Sequence, residues 1–373
     1  MSNIFTKTKL DLNQPLSPTQ GLILLSSYPK SGNTWTRLFF YALQNRAKEI
    51  DLDHFAKNIS RMDSQKTHFA SVLGVDPNSL TQQEIAETIP KVQRYLALKS
   101  KNRELIKTHT ANGEFGGTPT MDFSVIRAVV YIIRNPLDVV ASFASHMGYG
   151  FDRSIKAMAT SKNWLQAETK ELRDEAPQVA QLMGSWSEHV AGWTGRPDPR
   201  VTVVRYEDLK HDTVVSFKRV VDGLGLRKTR AEVAEAVAKT DFAQIQAKEA
   251  KKGFTETVHK NQKFFRKGQT GGWREELSDD QVKEVIRHHA FQMNRFGYIP
   301  KEYHDFAKGV MIESQTAKHF IAEARRERQA QEKNIKRRSK PGKKNAGERP
   351  QVAVPRTSVM FPSAIKAQNP TNK

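Results

Sequence analysis

The sequence contains no cysteine, and no apolar run in it approaches the ~20 residues that a membrane-spanning helix needs. Without cysteine there is no disulfide framework, no thiolate nucleophile and no cysteine-ligated metal site, which fits an intracellular compartment. The N-terminus also lacks the basic and then apolar order of a secretory signal. We therefore expect a soluble, cytoplasmic protein without integral membrane association.

Acidic residues are in short supply, since 40 Asp and Glu face 60 Lys and Arg and leave a formal net charge of +20. Residues 325–373 hold fourteen Lys and Arg against three Glu, which is +11 of that charge. Charge alone does not distinguish nucleic acid, an acidic membrane and a small phosphorylated ligand as the partner. Beyond Ser339 the helical periodicity ends and Pro, Gly and Lys accumulate. We expect residues 339–373 to be a disordered basic tail that can contact polyanions.

Short apolar, β-branched runs alternate with helical patterns along the chain, which is typical of a parallel sheet covered on both faces. The predicted strands are 22–27, 105–109, 125–133 and 201–206. A chain of 373 residues can form one such core with extensions. The sequence therefore predicts an α/β fold with a central parallel sheet flanked by helices.

Helices are predicted where apolar residues recur at helical spacing. The helix after the first strand is expected to bury one face, which consists of Trp35, Leu38, Phe39, Ala42 and Leu43. Further helices are expected at 135–147, 213–224 and 278–296. We expect one domain over residues 1–300, a helical extension over 301–338 and then the tail.

The loop after the first strand reads SYPKSGNTW at residues 27–35. Free backbone N–H groups and the positive helix end favour a phosphate there, Gly32 allows close approach, and Lys30 adds a full charge. A nucleoside-triphosphate P-loop reads GxxxxGK[ST], whereas here lysine precedes glycine. The alternatives are an ordinary Gly/Ser turn with a solvated lysine, and a core position for Trp35.

PKSGNTW resembles the donor-binding loop of sulfotransferases that use 3'-phosphoadenosine-5'-phosphosulfate (PAPS), commonly written YPKSGTTW, with Asn33 where Thr is usual. The resemblance implies a P-loop nucleotide-binding type of fold and sulfuryl transfer to a hydroxyl or amine. It makes residues 1–300 the catalytic domain. It also implies that Lys30 neutralises the oxygen that bridges the sulfur and the 5'-phosphate as the sulfur leaves, and that Trp35 faces the adenine. The 5'-phosphate would be held by Ser31, Gly32, Asn33 and Thr34.

Two further stretches resemble the family's site for the 3'-phosphate. YIIRNPLDVVASF carries Arg134 at a strand end and Ser142 eight residues later. A guanidinium there can grip a phosphate dianion and a hydroxyl can add a bond. RKGQTGGW at 266–273 resembles the closing loop RKGxxGxW, and its Arg266, Lys267 and Gly268 would cover the same phosphate. The alternatives are a helix-capping role for Arg134 or its ion pair with Asp138, a packing role for Ser142, and a flexible basic loop.

Weaker resemblances complete the nucleotide site. Tyr206 in VRYEDL and Phe242 in TDF stand where the family has adenine contacts, although a strand end and a core aromatic are equally simple interpretations.

LIKTH at 105–109 resembles the family's catalytic KTH. It implies that His109 is the general base and that Lys107 assists the transferring sulfuryl group, because imidazole accepts a proton at neutral pH. The alternatives are a structural histidine and a surface lysine, and His146 is a second candidate base. No metal cluster is evident, and no metal is expected.

The resemblance covers about residues 22–298, but nothing in it names the acceptor, which is expected to be a small molecule, glycan or lipid. Residues 48–104, 145–165 and 243–262 are the candidate acceptor walls. Two rival functions remain: a P-loop kinase, for which VTVVRYED would bind magnesium, and a binder of nucleic acid or acidic surfaces through the tail. The oligomeric state is left open.

Overall fold

The computed structural model describes residues 5–45, 49–59, 61–166, 169–254 and 264–316. The described residues up to Gln315 form one compact unit. The expected tail at 339–373, and most of the expected helical extension at 301–338, lie outside the described residues, although residues 304–315 are helical. Within the described part, no helix is long and apolar enough to cross a membrane.

Eight strands are described. They are β1 (Gly21–Ser27), β2 (Arg103–Thr108), β3 (Glu114–Phe115), β4 (Thr118–Pro119), β5 (Ile126–Ile133), β6 (Trp164–Leu165), β7 (Gln181–Leu182) and β8 (Val201–Arg205). Four of them form one parallel sheet in the order β2-β1-β5-β8, and the other four form two short antiparallel pairs. The predicted central parallel sheet is confirmed.

Fourteen α-helices with both ends among the described residues lie between and after these strands, in addition to the helical residues 304–315. They are α1 (Asn33–Asn45), α2 (Leu52–Ile59), α3 (Lys66–Leu73), α4 (Gln82–Lys99), α5 (Pro136–Met147), α6 (Phe151–Ala159), α7 (Lys170–Glu175), α8 (Trp186–Thr194), α9 (Tyr206–His211), α10 (Thr213–Gly223), α11 (Arg230–Lys239), α12 (Phe242–Lys252), α13 (Trp273–Glu276) and α14 (Asp279–Arg295). Short 3-10 turns occur at Pro77–Ser79 and Lys301–Tyr303. The predicted helices at 135–147, 213–224 and 278–296 correspond to α5, α10 and α14.

Each face of the sheet packs against its own set of helices, and a separate hydrophobic cluster fills the space between them. Along β5, Val129 and Tyr131 point into the cluster under α4, α5, α8 and α14, whereas Val130 and Ile132 point into the cluster under α1, α10 and α11. This alternation follows from the period of two residues in a strand. Because both faces are covered, the two central strands β1 and β5 are largely apolar and buried, as parallel strands usually are.

Helix α1 is buried more completely than its sequence predicts. The expected face is buried except for the half-buried Trp35, and Arg37, Phe40 and Tyr41 on other sides of the helix are buried as well. The predicted buried face is present, and the burial extends beyond it because α1 packs against β1 and also against α2 and α11. These neighbours come from distant parts of the sequence, so the periodicity of α1 alone does not reveal them.

Candidate functional site

The carboxyl ends of the four sheet strands open into one cavity of about 1010 Å³. Its wall includes Lys30 after β1, His109 after β2, Arg134 after β5 and Tyr206 after β8. Parallel strands end at the same edge of a sheet, so four distant sequence segments meet there. The predicted strand end at His109 is off by one residue, since β2 ends at Thr108 and His109 begins the following loop.

The cavity wall contains all of the predicted site residues except Ser31. Those in the wall are Lys30, Gly32, Asn33, Thr34, Trp35, Lys107, His109, Arg134, Ser142, Tyr206, Phe242, Arg266, Lys267 and Gly268, together with the second candidate base His146. Ser31 is completely buried behind the wall, and its hydroxyl has no hydrogen-bond partner among the described residues. One cavity thus gathers residues that the sequence spreads over more than two hundred positions.

The loop between β1 and α1 adopts backbone angles that favour glycine. Gly32 has φ of 102°, and a Cβ there would lie 2.6 Å from Cδ2 of Tyr206. Lys30 also has a positive φ, of 67°. Since L side chains rarely adopt such angles, the loop is built for close approach of the backbone to another group.

Asn33 acts as an internal brace of this loop. Its amide nitrogen donates to the carbonyl oxygen of Leu25 at 3.1 Å and to Oγ of Ser27 at 3.3 Å. Its Oδ1 accepts from Nε of the fully buried Arg37 at 3.1 Å. Arg37 also donates to Oγ1 of Thr34 at 2.9 Å. The Asn33 side chain is therefore committed to the loop, and only its backbone is left for the predicted phosphate contact.

Arg134 connects the two loops that border the cavity. Its guanidinium donates to the carbonyl oxygen of Lys30 and to that of Gln269, both at 2.9 Å, and lies 4.4 Å from the ring centroid of Tyr206. Its buried Nε has no partner among the described residues. The alternative ion pair with Asp138 is wrong, because the Asp138 carboxylate instead accepts backbone N–H groups from residues 271 and 273.

The basic loop, residues 266–272, forms another side of the cavity. Gly268 has φ of 60°, and a Cβ there would lie 2.4 Å from the Phe242 ring. Arg266 donates to Oε2 of Glu276 at 2.9 Å, and Lys267 donates to Oε1 of the same carboxylate at 2.8 Å. Just before the loop, Glu249 of α12 accepts the backbone N–H groups of residues 264 and 265. Glu249 and Glu276 thus hold the N-terminal end of the loop, and Asp138 holds its C-terminal end.

Three aromatic residues predicted as adenine contacts lie together. The rings of Trp35 and Tyr206 meet edge to face with centroids 6.0 Å apart. Nζ of Lys210 lies 5.3 Å from the Trp35 ring and 5.7 Å from the Phe242 ring. Trp35 also donates to the carbonyl oxygen of Thr240 at 3.1 Å and packs against the core. A core position for Trp35 and a place beside the adenine are therefore compatible, because the ring packs against the core and the residue also lines the cavity.

His109 has its two ring nitrogens in different environments. Nδ1 lies 2.7 Å from the carbonyl oxygen of Ser27, and a carbonyl oxygen only accepts hydrogen bonds. Nδ1 must therefore carry the proton, which leaves Nε2 as the basic nitrogen. Burial, together with the charge of Lys107, holds the pKa of His109 well below its ordinary value. The side chain is 8% exposed and lines the cavity.

Positive charge dominates the cavity wall. Nine cationic side chains line it, against four carboxylates from Asp138, Asp174, Glu175 and Glu276. The cations are Lys30, Lys66, Lys107, Arg134, Lys170, Arg173, Lys210, Arg266 and Lys267. A concave surface with this excess concentrates anions. The charge of Lys210 is partly withdrawn from water, and this burial lowers its pKa from the usual value.

Several wall residues were missed by the sequence reasoning. Lys210 lies one helical turn after Tyr206 in α9, and that spacing could have indicated it. Residues 170–181 form a large part of the wall, although no motif marks them, while residues 243–262 contribute only Ile245 among those described. Residues 56–85 supply wall positions as expected of the 48–104 segment. Glu276 carries no sequence signal either.

The kinase alternative requires a carboxylate after β8 that faces the ligand. Glu207 instead accepts the backbone N–H of Asn135 at 2.9 Å and the hydroxyl of Tyr298 at 2.8 Å. Neither Glu207 nor Asp208 lines the cavity. The VRYED stretch therefore does not present the magnesium-binding strand end that this alternative needs.

Comparison with known proteins agrees with this geometry. Residues 20–297 match the family described as the Sulfotransferase domain. The chain is 25% identical over 276 residues to Flavonol 3-sulfotransferase of Flaveria bidentis, a match that covers 70% of this chain and 78% of the relative. It is 25% identical over 293 residues to Cytosolic sulfotransferase 8 of Arabidopsis thaliana, covering 74% of this chain and 78% of the relative.

Among solved structures, the chain resembles retinol dehydratase in complex with androsterone and inactive cofactor PAP. The TM-score is 0.50 at 18% identity, and the alignment covers 76% of this chain and 82% of the other. At this identity the likeness is one of fold. It confirms the predicted α/β fold of the P-loop nucleotide-binding type.

Proposed function

The chain belongs to the sulfotransferase domain family, and we propose that it moves a sulfuryl group from PAPS to a hydroxyl or amine acceptor, releasing adenosine 3',5'-bisphosphate. One observation carries the proposal. The side chains of Lys30, Arg134 and His109, which follow three neighbouring strands, line the same cavity. Had they lain on separate faces of the protein, no single bound donor could have contacted them all.

The residues of the cavity fit a bisphosphorylated adenosine. Lys30 and the glycine-shaped loop through Thr34 would hold the 5'-phosphate, since the N-terminus of α1 directs backbone N–H groups at this point. Arg134 has a buried Nε in need of a partner and would bind the 3'-phosphate with Ser142. The basic loop would cover that phosphate, and the adenine would lie among the rings of Trp35, Tyr206 and Phe242.

The proposed chemistry uses His109 as the general base. Nε2 accepts the proton of the acceptor hydroxyl, and the acceptor oxygen forms a bond to sulfur while the bond between sulfur and the 5'-phosphate oxygen breaks. The electron pair of the broken bond stays on that phosphate oxygen. Lys30 neutralises the charge that develops there, and Lys107 binds the sulfuryl oxygens. Fixed charges in a half-buried cavity do this without reorganisation of solvent.

The acceptor side of the cavity supports a small organic acceptor. The wall is partly apolar and includes Met62, Leu80, Ile85 and Leu165. One matched relative is named for a flavonol acceptor, which is itself a small molecule. A glycan or lipid headgroup with a hydroxyl is the other acceptor class in the proposal. We also propose that the protein is cytoplasmic and that its basic tail contacts polyanions.

Calorimetry with two nucleotides tests the proposal against a kinase function. We expect adenosine 3',5'-bisphosphate to bind much more tightly than ADP in buffer without magnesium, because only the former places a phosphate at Arg134. Equal affinities would favour the kinase. Incubation with sulfur-labelled PAPS and a panel of phenols, alcohols, amines, sugars and lipids then identifies the acceptor by transfer of label.

A further inference from the structure

Glu276, the last residue of α13, places its carboxylate between the two cations of the basic loop. Oε2 lies 2.9 Å from Nη1 of Arg266, and Oε1 lies 2.8 Å from Nζ of Lys267. The Glu276 side chain is 14% exposed and lines the cavity with both cations. One carboxylate therefore engages both of the positive groups that face this side of the cavity.

The position of Glu276 is fixed by the packing of α13. The Asp138 carboxylate of α5 accepts the backbone N–H of Gly271 at 2.8 Å and that of Trp273 at 3.2 Å. Trp273 is buried in the hydrophobic core. The helix that carries Glu276 is thus fastened to the domain, and the carboxylate remains beside the two cations.

Glu276 is ionised at neutral pH. Burial acts to raise the pKa of its carboxyl, but hydrogen bonds from Arg266 and Lys267 outweigh it and hold the pKa below the usual value. The side chain of Arg266 is 34% exposed and that of Lys267 is 40% exposed. Water and salt therefore screen both ion pairs, and the two cations can exchange partners.

We propose that Glu276 is a specificity-determining residue, whose carboxylate competes with the 3'-phosphate of the nucleotide for Arg266 and Lys267. The inference rests on the proposed function, in which those two cations cover that phosphate. A phosphate dianion attracts the pair more strongly than a single carboxylate does, but it must approach a site where a negative charge is already present. Glu276 therefore weakens the binding of any nucleotide that carries a 3'-phosphate.

The substitution Glu276→Gln removes the charge and keeps the shape of the side chain. We expect it to lower the dissociation constant of adenosine 3',5'-bisphosphate about tenfold, since both cations become available and the repulsion is lost. The affinity for adenosine 5'-monophosphate, which has no 3'-phosphate, is expected to stay within about twofold. Titration calorimetry of the full-length protein with each nucleotide measures both.

Glu275→Gln is the matched control. It changes the net charge equally in the same helix, but Glu275 is 81% exposed and its carboxylate is 3.8 Å from Lys267. Tighter binding of the bisphosphate by the Glu276→Gln variant alone supports the inference. Equal affinities of the two variants for the bisphosphate overturn the inference, because Glu276 would then have no effect of its own on binding. Weaker binding by Glu276→Gln also overturns it, because Glu276 would then help binding by orienting the cations.

The same titrations separate this inference from the proposed function. If the unaltered protein binds adenosine 3',5'-bisphosphate no better than adenosine 5'-monophosphate, there is no 3'-phosphate site and the proposed function itself fails. If the unaltered protein discriminates but Glu276→Gln does not change the ratio, the nucleotide site stands and only the role of Glu276 is refuted. A far-ultraviolet circular dichroism spectrum establishes that each variant is folded.

Discussion

Nδ1 of His109 lies 2.7 Å from the backbone carbonyl oxygen of Ser27, the last residue of the neighbouring strand β1. This hydrogen bond selects the tautomer in which Nε2 is unprotonated, and it fixes the orientation of the ring. The orienting group is a backbone atom of the sheet and not a carboxylate. The base of the proposed reaction is therefore positioned by the fold itself.

His109→Ala is expected to lower kcat by about 10²- to 10⁴-fold, because a positioned general base contributes rate enhancement of that order. Binding of adenosine 3',5'-bisphosphate should change little, since His109 does not bind phosphate in the proposal. Steady-state kinetics and calorimetry measure the two effects. His146→Ala is the control, because His146 lines the same cavity. A large loss in that variant, with near-normal rates for His109→Ala, would make His146 the base.

The pH profile of kcat/KM provides a second test of His109. Burial and the charge of Lys107 depress the pKa of His109, so its imidazole stays neutral below the ordinary value of about 6.5. We expect activity to persist to below that pH before it falls on the acid side. Lys107→Met removes a nearby positive charge, which raises the pKa of His109, and the acid limb should move to higher pH whatever the loss in rate.

Lys210→Met is the comparison for that shift. Lys210 also lines the cavity, but it is not among the charges that depress the pKa of His109. Its replacement should leave the acid limb in place. If the acid limb of the Lys107→Met variant lies at the same pH as that of the unaltered protein, a group other than His109 titrates there.

The sheet could be predicted because each strand carries its own signal. The runs at 22–27, 125–133 and 201–206 are apolar and β-branched enough to identify a strand without any neighbour, and the capping sequences SDDQ and NPLD mark the starts of α14 and α5. In the structure Ser278 accepts from the backbone N–H of Gln281, and Asn135 accepts from that of Leu137. Local chemistry decides such features.

The missing parts of the site depend on contacts between distant segments. Glu276 contacts Arg266 and Lys267 in a segment that Asp138 holds against α5, and no spacing rule links these positions. Asn33 looks like a substituted phosphate ligand in sequence, whereas its side chain braces β1 and Arg37. Residues 170–181 enter the wall through tertiary packing of a segment with no motif. The loops at 27–35 and 266–273 could be placed at one site from the sequence, because each carries a local motif, and residues of both line the cavity.

Arg134→Ala is expected to weaken the binding of adenosine 3',5'-bisphosphate by about 1.5 to 3 kcal/mol, the usual cost of a lost hydrogen bond to a charged group. Arg134→Lys should recover little of this, because lysine cannot bridge the carbonyl oxygens of Lys30 and Gln269 while it stacks on Tyr206. Arg127→Ala, at the opposite end of β5, serves as the control. Unchanged affinity for Arg134→Ala, measured by calorimetry, would refute its assignment to the 3'-phosphate.

Buried histidines make the stability of the fold depend on pH. Burial lowers the pKa of His189 to about 4 and that of His289 to about 3. In the unfolded chain these side chains titrate near 6.5, so below that pH the unfolded state binds protons that the native state does not. The free energy of unfolding therefore falls as the pH drops from about 6.5 toward the native pKa values, by about 2 kcal/mol per buried histidine between pH 7 and pH 5.

His289→Gln tests this linkage, because glutamine is neutral at both pH values. The variant is expected to lose about 2 kcal/mol less stability than the unaltered protein between pH 7 and pH 5, whatever its stability at pH 7. Urea unfolding followed by tryptophan fluorescence at the two pH values gives the difference. Equal losses in the protein and in the His289→Gln variant would mean that His289 is protonated in the native state despite its burial.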